Sequence, residues 1–323
     1  MPSGYTHCFL ARNFNALSEH QNIDLKFLLD EKIKYFQVGA IAPDIPYSQL
    51  LRPHNSFQKI ADDFHYKTTN KLFLDALDRV KDMPDGDQKD EAFSFFLGFA
   101  SHVVADGVIH PFVRDKVGDY DDNATEHRLL EMRLDVILLN EFTKLSGHAV
   151  NLNTSDYHHQ LKDVLSRDFS HISEMFSDLI NTTYGHDVNS DNIEDWIDDM
   201  HDMFGIAEGK FNQFYAWIPA VKDYLYKDKE ELLKNKEKDL VLEVDEAKGR
   251  SRNFAGRTIH FIDDCIPMFY NAFKPLAEKS YEYVYNGGDR VEGGDFPAIN
   301  LDTGRSLAFQ DGKNLDKSAV YWS

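Results

Sequence analysis

Cysteine is nearly absent: Cys8 and Cys265 are the only two among 323 residues. Two thiols cannot staple a fold, so stability must come from a buried core. A reduced cytoplasmic setting is the default expectation, with signal-less secretion left open. The first residues, Met1-Pro2-Ser3-Gly4-Tyr5-Thr6-His7, lack a basic stretch followed by an apolar one, so no Sec-type signal is read there. No uninterrupted apolar run approaches the roughly 18 residues that cross a bilayer, and no transmembrane segment is expected. Positive charge is scarce too: 35 Lys and Arg face 55 Asp and Glu, a formal net charge of −20. A duplex-binding surface needs a basic stripe to displace counterions, so nucleic acid is disfavoured as a partner. Anionic membranes are disfavoured for the same reason, whereas transient contact with a zwitterionic lipid surface is not. There is no Gly-rich phosphate loop, nucleophile elbow or dinucleotide fingerprint. Nothing in the composition fixes an oligomeric state.

What the chain does contain is helical periodicity. The pattern predicts helices near 5–19, 24–37, 68–83, 88–114, 124–146, 156–182, 191–208, 211–236 and 257–284, separated by turns such as Ala42-Pro43-Asp44-Ile45-Pro46 and Met83-Pro84-Asp85-Gly86. The expected fold class is all-α, with a helical domain over residues 1–284. Gly287-Gly288, Gly293-Gly294, Pro297 and Gly304 break any helix beyond it. Residues 285–323 are therefore expected to form an irregular Gly-rich extension with a short hairpin at most. The aromatics from Phe204 to Tyr226 read as a core face rather than a lipid-seeking one.

The sharpest chemical signal is His102-Val103-Val104-Ala105-Asp106-Gly107-Val108-Ile109-His110. Positions four apart lie on one stripe of a helix, about 6 Å up the axis, so His102, Asp106 and His110 project the same way. The surrounding residues are strongly apolar. Burying three such groups costs several kcal/mol unless something satisfies them, and a metal ion does so. Asp106, between two histidines, is placed to bridge two cations. A second i, i+4 pair, His127 and Glu131, follows on the next helix. Cys8 adjoins His7 but is rotated about 100° from it on a helix and reads as a buried structural thiol. His54 lies between Pro53 and Asn55 and reads as a loop residue, while His158-His159 and His260 are read as ordinary, without carboxylate partners at ligand spacing.

From about Met1 to Leu139 the chain resembles the zinc-dependent phospholipases C and the catalytic domain of glycosylphosphatidylinositol-specific phospholipases D. Five stations in order carry the resemblance: Tyr5-Thr6-His7, Gly39 through Pro46, Phe64-His65-Tyr66-Lys67, Leu97 through Phe112, and His127 through Glu131. It implies an all-helical phospholipase C/zinc nuclease-like domain holding three zinc ions, two being the alternative count. One site takes Asp44, His65 and His102; a second takes His110, His127 and Glu131; a third takes His7 with the bridging Asp106. Asp44 and Asp106 are the implied catalytic residues, Asp44 as a general base. The implied reaction is phospholipase C cleavage of a glycerophospholipid, with a zwitterionic substrate expected from the net charge. Two alternatives stay open: a single-strand nuclease or phosphomonoesterase on the same scaffold, and a non-catalytic metal-stabilised binding module.

In the family the third zinc also takes the mature N-terminus. Here that would be the Pro2 amine, once Met1 is removed. A tag ahead of Pro2 turns this amine into a tertiary amide, which cannot bind metal through nitrogen. The tagged protein is expected to lose one metal equivalent and most of its activity, and to regain both on cleavage. Intact mass reports Met1, and equal metal content in tagged and cleaved protein would remove Pro2 from the site.

Overall fold

A computed structural model of the protein describes residues 4–18, 20–51, 57–145, 169–208, 233–244, 256–309 and 319–322. The fold is all-α, and helices carry nearly all of its regular structure: α1 (Gly4–Arg12), α2 (Phe14–Leu17), α3 (Ile23–Glu31), α4 (Ile33–Ile41), α5 (Gln58–Tyr66), α6 (Lys71–Lys81), α7 (Asp87–Val117), α8 (Tyr120–Leu145), α9 (Ser170–Tyr184), α10 (Ser190–Glu208), α11 (Lys236–Leu240) and α12 (Ile266–Tyr285). A 3-10 turn spans Ile45–Leu51. The strands described form two antiparallel pairs: β1 (Val241–Glu243) with β2 (Thr258–His260), and β3 (Ile299–Asn300) with β4 (Arg305–Ser306). The second pair is the short hairpin expected beyond Tyr285.

Helix α7 is the axis of the molecule. It has 31 residues, about 46 Å at 1.5 Å per residue. Acidic Asp87 and Asp90 sit in its first turn and Arg114 and Lys116 in its last, matching the helix dipole. From Ala92 to Val113 it is buried without interruption. Contrary to the expectation from apolar runs, this helix is long and apolar enough to cross a membrane by length and composition. Its apolar surface is instead covered by protein on every side: α1, α3, α4, α6, α8, α9 and α12 all pack against it. Phe64 from α5, Phe95, Phe96 and Phe99 from α7 and Phe176 from α9 join these helices, mostly through edge-to-face ring contacts.

Several helix boundaries depart from the periodic pattern. The segment expected as one helix over 5–19 breaks at Asn13, whose side-chain amide donates to Phe9 O at 2.8 Å and competes with the backbone ladder. The one expected over 24–37 breaks at Lys32 (φ −102°, ψ 22°) and continues as α4 to Ile41. Helix α5 was not anticipated. It has nine residues, too few to be stable alone, and is held by burying Ile60, Ala61 and Phe64. The stretch expected as helix from 257 opens with β2 and a π turn, Phe261–Cys265, before α12 begins. Most of the expected 211–236 helix, and of the aromatic stretch within it, lies outside the described residues, as does the first part of the 156–182 helix. Phe204, at the start of that stretch, is buried.

Helices α4 and α7 make the closest crossing. A Cβ on Gly39 would overlap the carbonyl of Phe95, and one on Gly98 would overlap that of Phe36. The two backbones therefore touch with no side chain between them. Lys32 Nζ reaches Asp87 Oδ1 at 2.7 Å near one end, and His102 Nδ1 reaches Ala40 O at 2.9 Å toward the other, so the helices run in the same direction. Gly98→Ala forces backbone against backbone, where no rotamer change relieves the overlap. It is expected to cost about 3 kcal/mol, read as a lower urea midpoint. A midpoint shift worth under about 0.5 kcal/mol would mean that the crossing tolerates separation.

Candidate metal centre

Five elements bring eight titratable side chains to one buried region. Helix α7 supplies His102, Asp106 and His110 from one stripe, and α1 supplies His7. Asp44 follows α4 in the Pro43 turn, where Asp44 N bonds Ile41 O and Asp44 O accepts from Tyr47 N. Helix α5 supplies His65, and α8 supplies His127 and Glu131 one turn apart. Each of the eight is at most 4% exposed.

Backbone carbonyls set the orientation of two of the rings. His102 Nδ1 lies 2.9 Å from Ala40 O, and His65 Nδ1 lies 2.7 Å from Ala61 O. A carbonyl only accepts, so each Nδ1 carries the proton and each Nε2 presents its lone pair to the cluster. His7 is positioned through its neighbour. Thr6 donates to Asp135 Oδ1 through its backbone N–H, at 3.1 Å, and through its hydroxyl, which ties the start of α1 to α8.

The donor atoms then converge in three groups: His7, His102 and Asp106; Asp44, His65 and His102; and His110, His127 and Glu131. His7 Nε2 is 3.2 Å from Asp106 Oδ1, while His102 Nε2 is 3.3 Å and His65 Nε2 3.7 Å from Asp106 Oδ2. Asp106 thus turns one oxygen to His7 and the other to His65 and His102. His65 Nε2 stands 3.2 Å from Asp44 Oδ1. In the third group, Glu131 Oε1 lies 3.3 Å from His110 Nε2 and 3.0 Å from His127 Nε2. The His7 and His102 rings stack with centroids 3.9 Å apart, and the His110 and His127 rings meet edge to face at 5.4 Å.

Residues 6–209 match the family model for zinc-dependent phospholipase C, a stretch that contains all eight side chains. The chain belongs to this family. Neither a curated protein nor a solved structure matches it. The match runs well past Leu139, where the resemblance read from motifs stopped. Membership makes this phospholipase C family protein a zinc-dependent phosphodiester hydrolase with an all-α fold.

The donor set fits zinc. Two ligands about 2.0–2.1 Å from a tetrahedral zinc stand roughly 3.3 Å apart, and the closest nitrogen–oxygen approaches within the three groups are 3.0–3.3 Å. These approaches lack hydrogen-bond geometry. Both oxygens of Asp106, Asp44 Oδ1, both ring nitrogens of His7, His110 and His127, and Nε2 of His65 and His102 are buried with no hydrogen-bond partner. Such atoms are costly unless a cation takes their lone pairs. Burial, reinforced by repulsion from His102, lowers the His7 pKa to about 4, which keeps the ring a neutral donor. Burial opposes charge on His102 as well, but Asp106 and Asp44 outweigh it and raise this ring to about 8, so a cation that takes the Nε2 lone pair displaces a proton there. Burial opposes ionisation of Asp106, yet His102 and His110 hold its carboxyl well below the usual range. The carboxylates therefore stay ionised where a divalent ion would sit.

Of the residues singled out in the sequence, Pro2, His54, His158 and His159 lie outside the described residues. Cys8 is buried, and burial pushes its thiol well above the usual range, as suits a structural side chain. Asp135 was missed. It continues the His127, Glu131 stripe by one more turn of α8, and that spacing was the available signal.

Asp106→Asn is expected to lose at least one metal equivalent and more than about nine-tenths of activity, at least 1.4 kcal/mol of barrier. Helix content by circular dichroism should be unchanged. Full metal content with more than a tenth of wild-type rate would mean that Asp106 does not bridge.

Proposed function

We propose that the protein is a phospholipase C that cleaves a zwitterionic glycerophospholipid with three zinc ions held by these side chains. The observation that carries this reading is the three-way convergence on α7, with Asp106 facing two donor groups at once. His65, His102 and Asp44 would hold one ion, His110, His127 and Glu131 a second, and His7 with Asp106 a third shared with the first. Bound there, closely spaced zinc ions polarise a phosphoryl oxygen, lower the pKa of water and stabilise the attacking and leaving oxygens in line. Three carboxylates against three divalent ions leave net positive charge for a phosphodiester. In the reaction, water adds to phosphorus and the bond to the glycerol oxygen breaks. Diacylglycerol leaves with a proton, and the headgroup keeps the phosphate. Asp44, at the end of α4, is the carboxylate best placed to hold the proton taken from water, through whichever oxygen is not engaged as a ligand.

The surroundings favour a lipid with a cationic headgroup. Tyr47 and Tyr66 flank the His65 ring, with centroids 5.6 and 6.2 Å away, and Tyr66 is exposed. Asp62, which accepts from the Tyr47 hydroxyl at 2.8 Å, adds negative charge to this face. Aromatic rings beside a carboxylate attract an ammonium group. The net charge of −20 weighs against the nuclease reading. Three protein donors per group, rather than a closed set of four, weigh against a purely structural site.

The test is an assay of purified protein on phosphatidylcholine, phosphatidylinositol, single-stranded DNA and a nitrophenyl phosphodiester, with and without chelator. Phosphatidylcholine should give diacylglycerol and phosphocholine, lose turnover with chelator and regain it with zinc. Elemental analysis should find two to three zinc equivalents per chain. Faster cleavage of DNA than of lipid would replace the substrate class. One equivalent or none, with no activity on adding zinc, would sink the zinc cluster.

A further inference from the structure

The C-terminal segment lies outside the family match, which ends at residue 209. Its described parts, 299–309 and 319–322, nevertheless reach three of the elements that carry donors. On α5, Leu301 N–H donates to the carbonyl of His65 at 2.9 Å, and Ile299 exchanges two hydrogen bonds with Thr69 just beyond that helix. At the corner between α7 and α8, Arg114 pairs with both Asp302 and Asp119. Arg114 stands one turn after His110, and Asp119 immediately precedes the helix that holds His127 and Glu131. On α7 itself, Trp322 Nε1 donates to Val108 O at 2.8 Å. Ile299 and Tyr321 press on Gly107 so closely that a Cβ there would overlap both. Gly304 (φ 65°) lies against Gly107 O and the Pro111 ring, and its carbonyl accepts from Val320 N at 2.7 Å.

These contacts fall where α7 is weakest. Pro111 has no N–H to return to the carbonyl of Gly107 four residues before it, and Gly107 adds backbone freedom of its own. Left uncovered, a helix bends at such a place. Asp106 and His110 stand on either side of Val108, and a change in their separation would move one donor group relative to the others. Metal ligands need placement to within a few tenths of an ångström.

We propose that residues 299–309 and 319–322 are a positioning clamp for the metal centre. Trp322 holds the α7 backbone between Asp106 and His110, and Asp302, through Arg114, holds the α7–α8 corner. Both are positioning residues, since neither is among the donors. The inference rests on the metal centre proposed above, and the test separates the two.

Trp322→Phe keeps an aromatic ring, though a smaller one, and removes the N–H; Asp302→Asn keeps the shape and removes the charge. Arg290→Ala serves as a control, because Arg290 pairs with Asp78 on α6 and contacts no donor. Each zinc-loaded protein is titrated with a chromophoric chelator, and each cobalt(II)-substituted protein is examined by visible absorption. Trp322→Phe and Asp302→Asn should each release one equivalent with about ten-fold weaker affinity and shift the cobalt bands, while Arg290→Ala matches wild type. Should Trp322→Phe lose helix content, Asp302→Asn decides alone. Wild-type metal retention and cobalt spectra in the folded variants would overturn the clamp while leaving the centre intact. A wild-type protein that binds no metal would overturn the centre and the clamp with it.

Discussion

The contact on which the site depends is the one without side chains, where α4 meets α7 at Gly39 and Gly98. Because the backbones touch there, the carbonyl of Ala40 comes within hydrogen-bond reach of His102. That bond protonates Nδ1 and aims Nε2 at Asp106 and Asp44. Asp44 itself follows directly from the end of α4, so its place beside His65 and His102 is set by the same crossing. A wider separation, such as any side chain at either glycine would impose, would turn His102 and withdraw Asp44 together.

Around this crossing the protein buries five histidines and three carboxylates in an otherwise apolar interior. Such a cluster is unfavourable for folding by itself, since most of the atoms it turns inward, both oxygens of Asp106 and the Nε2 atoms of its histidines among them, lose water and gain no hydrogen bond. Zinc held by these side chains, as proposed above, would compensate and would link folding to zinc binding, as happens wherever a site is assembled from separate elements. The donors come from α1, the turn after α4, α5, α7 and α8. A cation at the centre therefore cross-links nearly the whole N-terminal half of the chain. The anchoring of Thr6 by Asp135 and the Leu301 bond to His65 serve the same end from outside the donor set.

Local chemistry was readable from the amino-acid sequence. The stripes His102, Asp106, His110 and His127, Glu131 follow from helix periodicity alone, as do the all-α class and the break in character after Tyr285. Asp135 was equally local and could have been found by carrying the α8 stripe one turn further. Helix α5 was the marginal case: its apolar residues have helical spacing, but nine residues soon after Pro53 give a weak pattern.

Tertiary structure alone decided which stripes face one another. Nothing in residue spacing says that His7 approaches Asp106, that Asp135 holds Thr6 from 129 residues away, or that Trp322 closes on Val108 from 214 away. Family resemblance could group the donors but is silent about the tail, which lies beyond the matched residues. The physical reason is range. A helix repeats every 3.6 residues and leaves that period in the sequence. A contact across the core depends on which surfaces pack, and packing leaves no period to read.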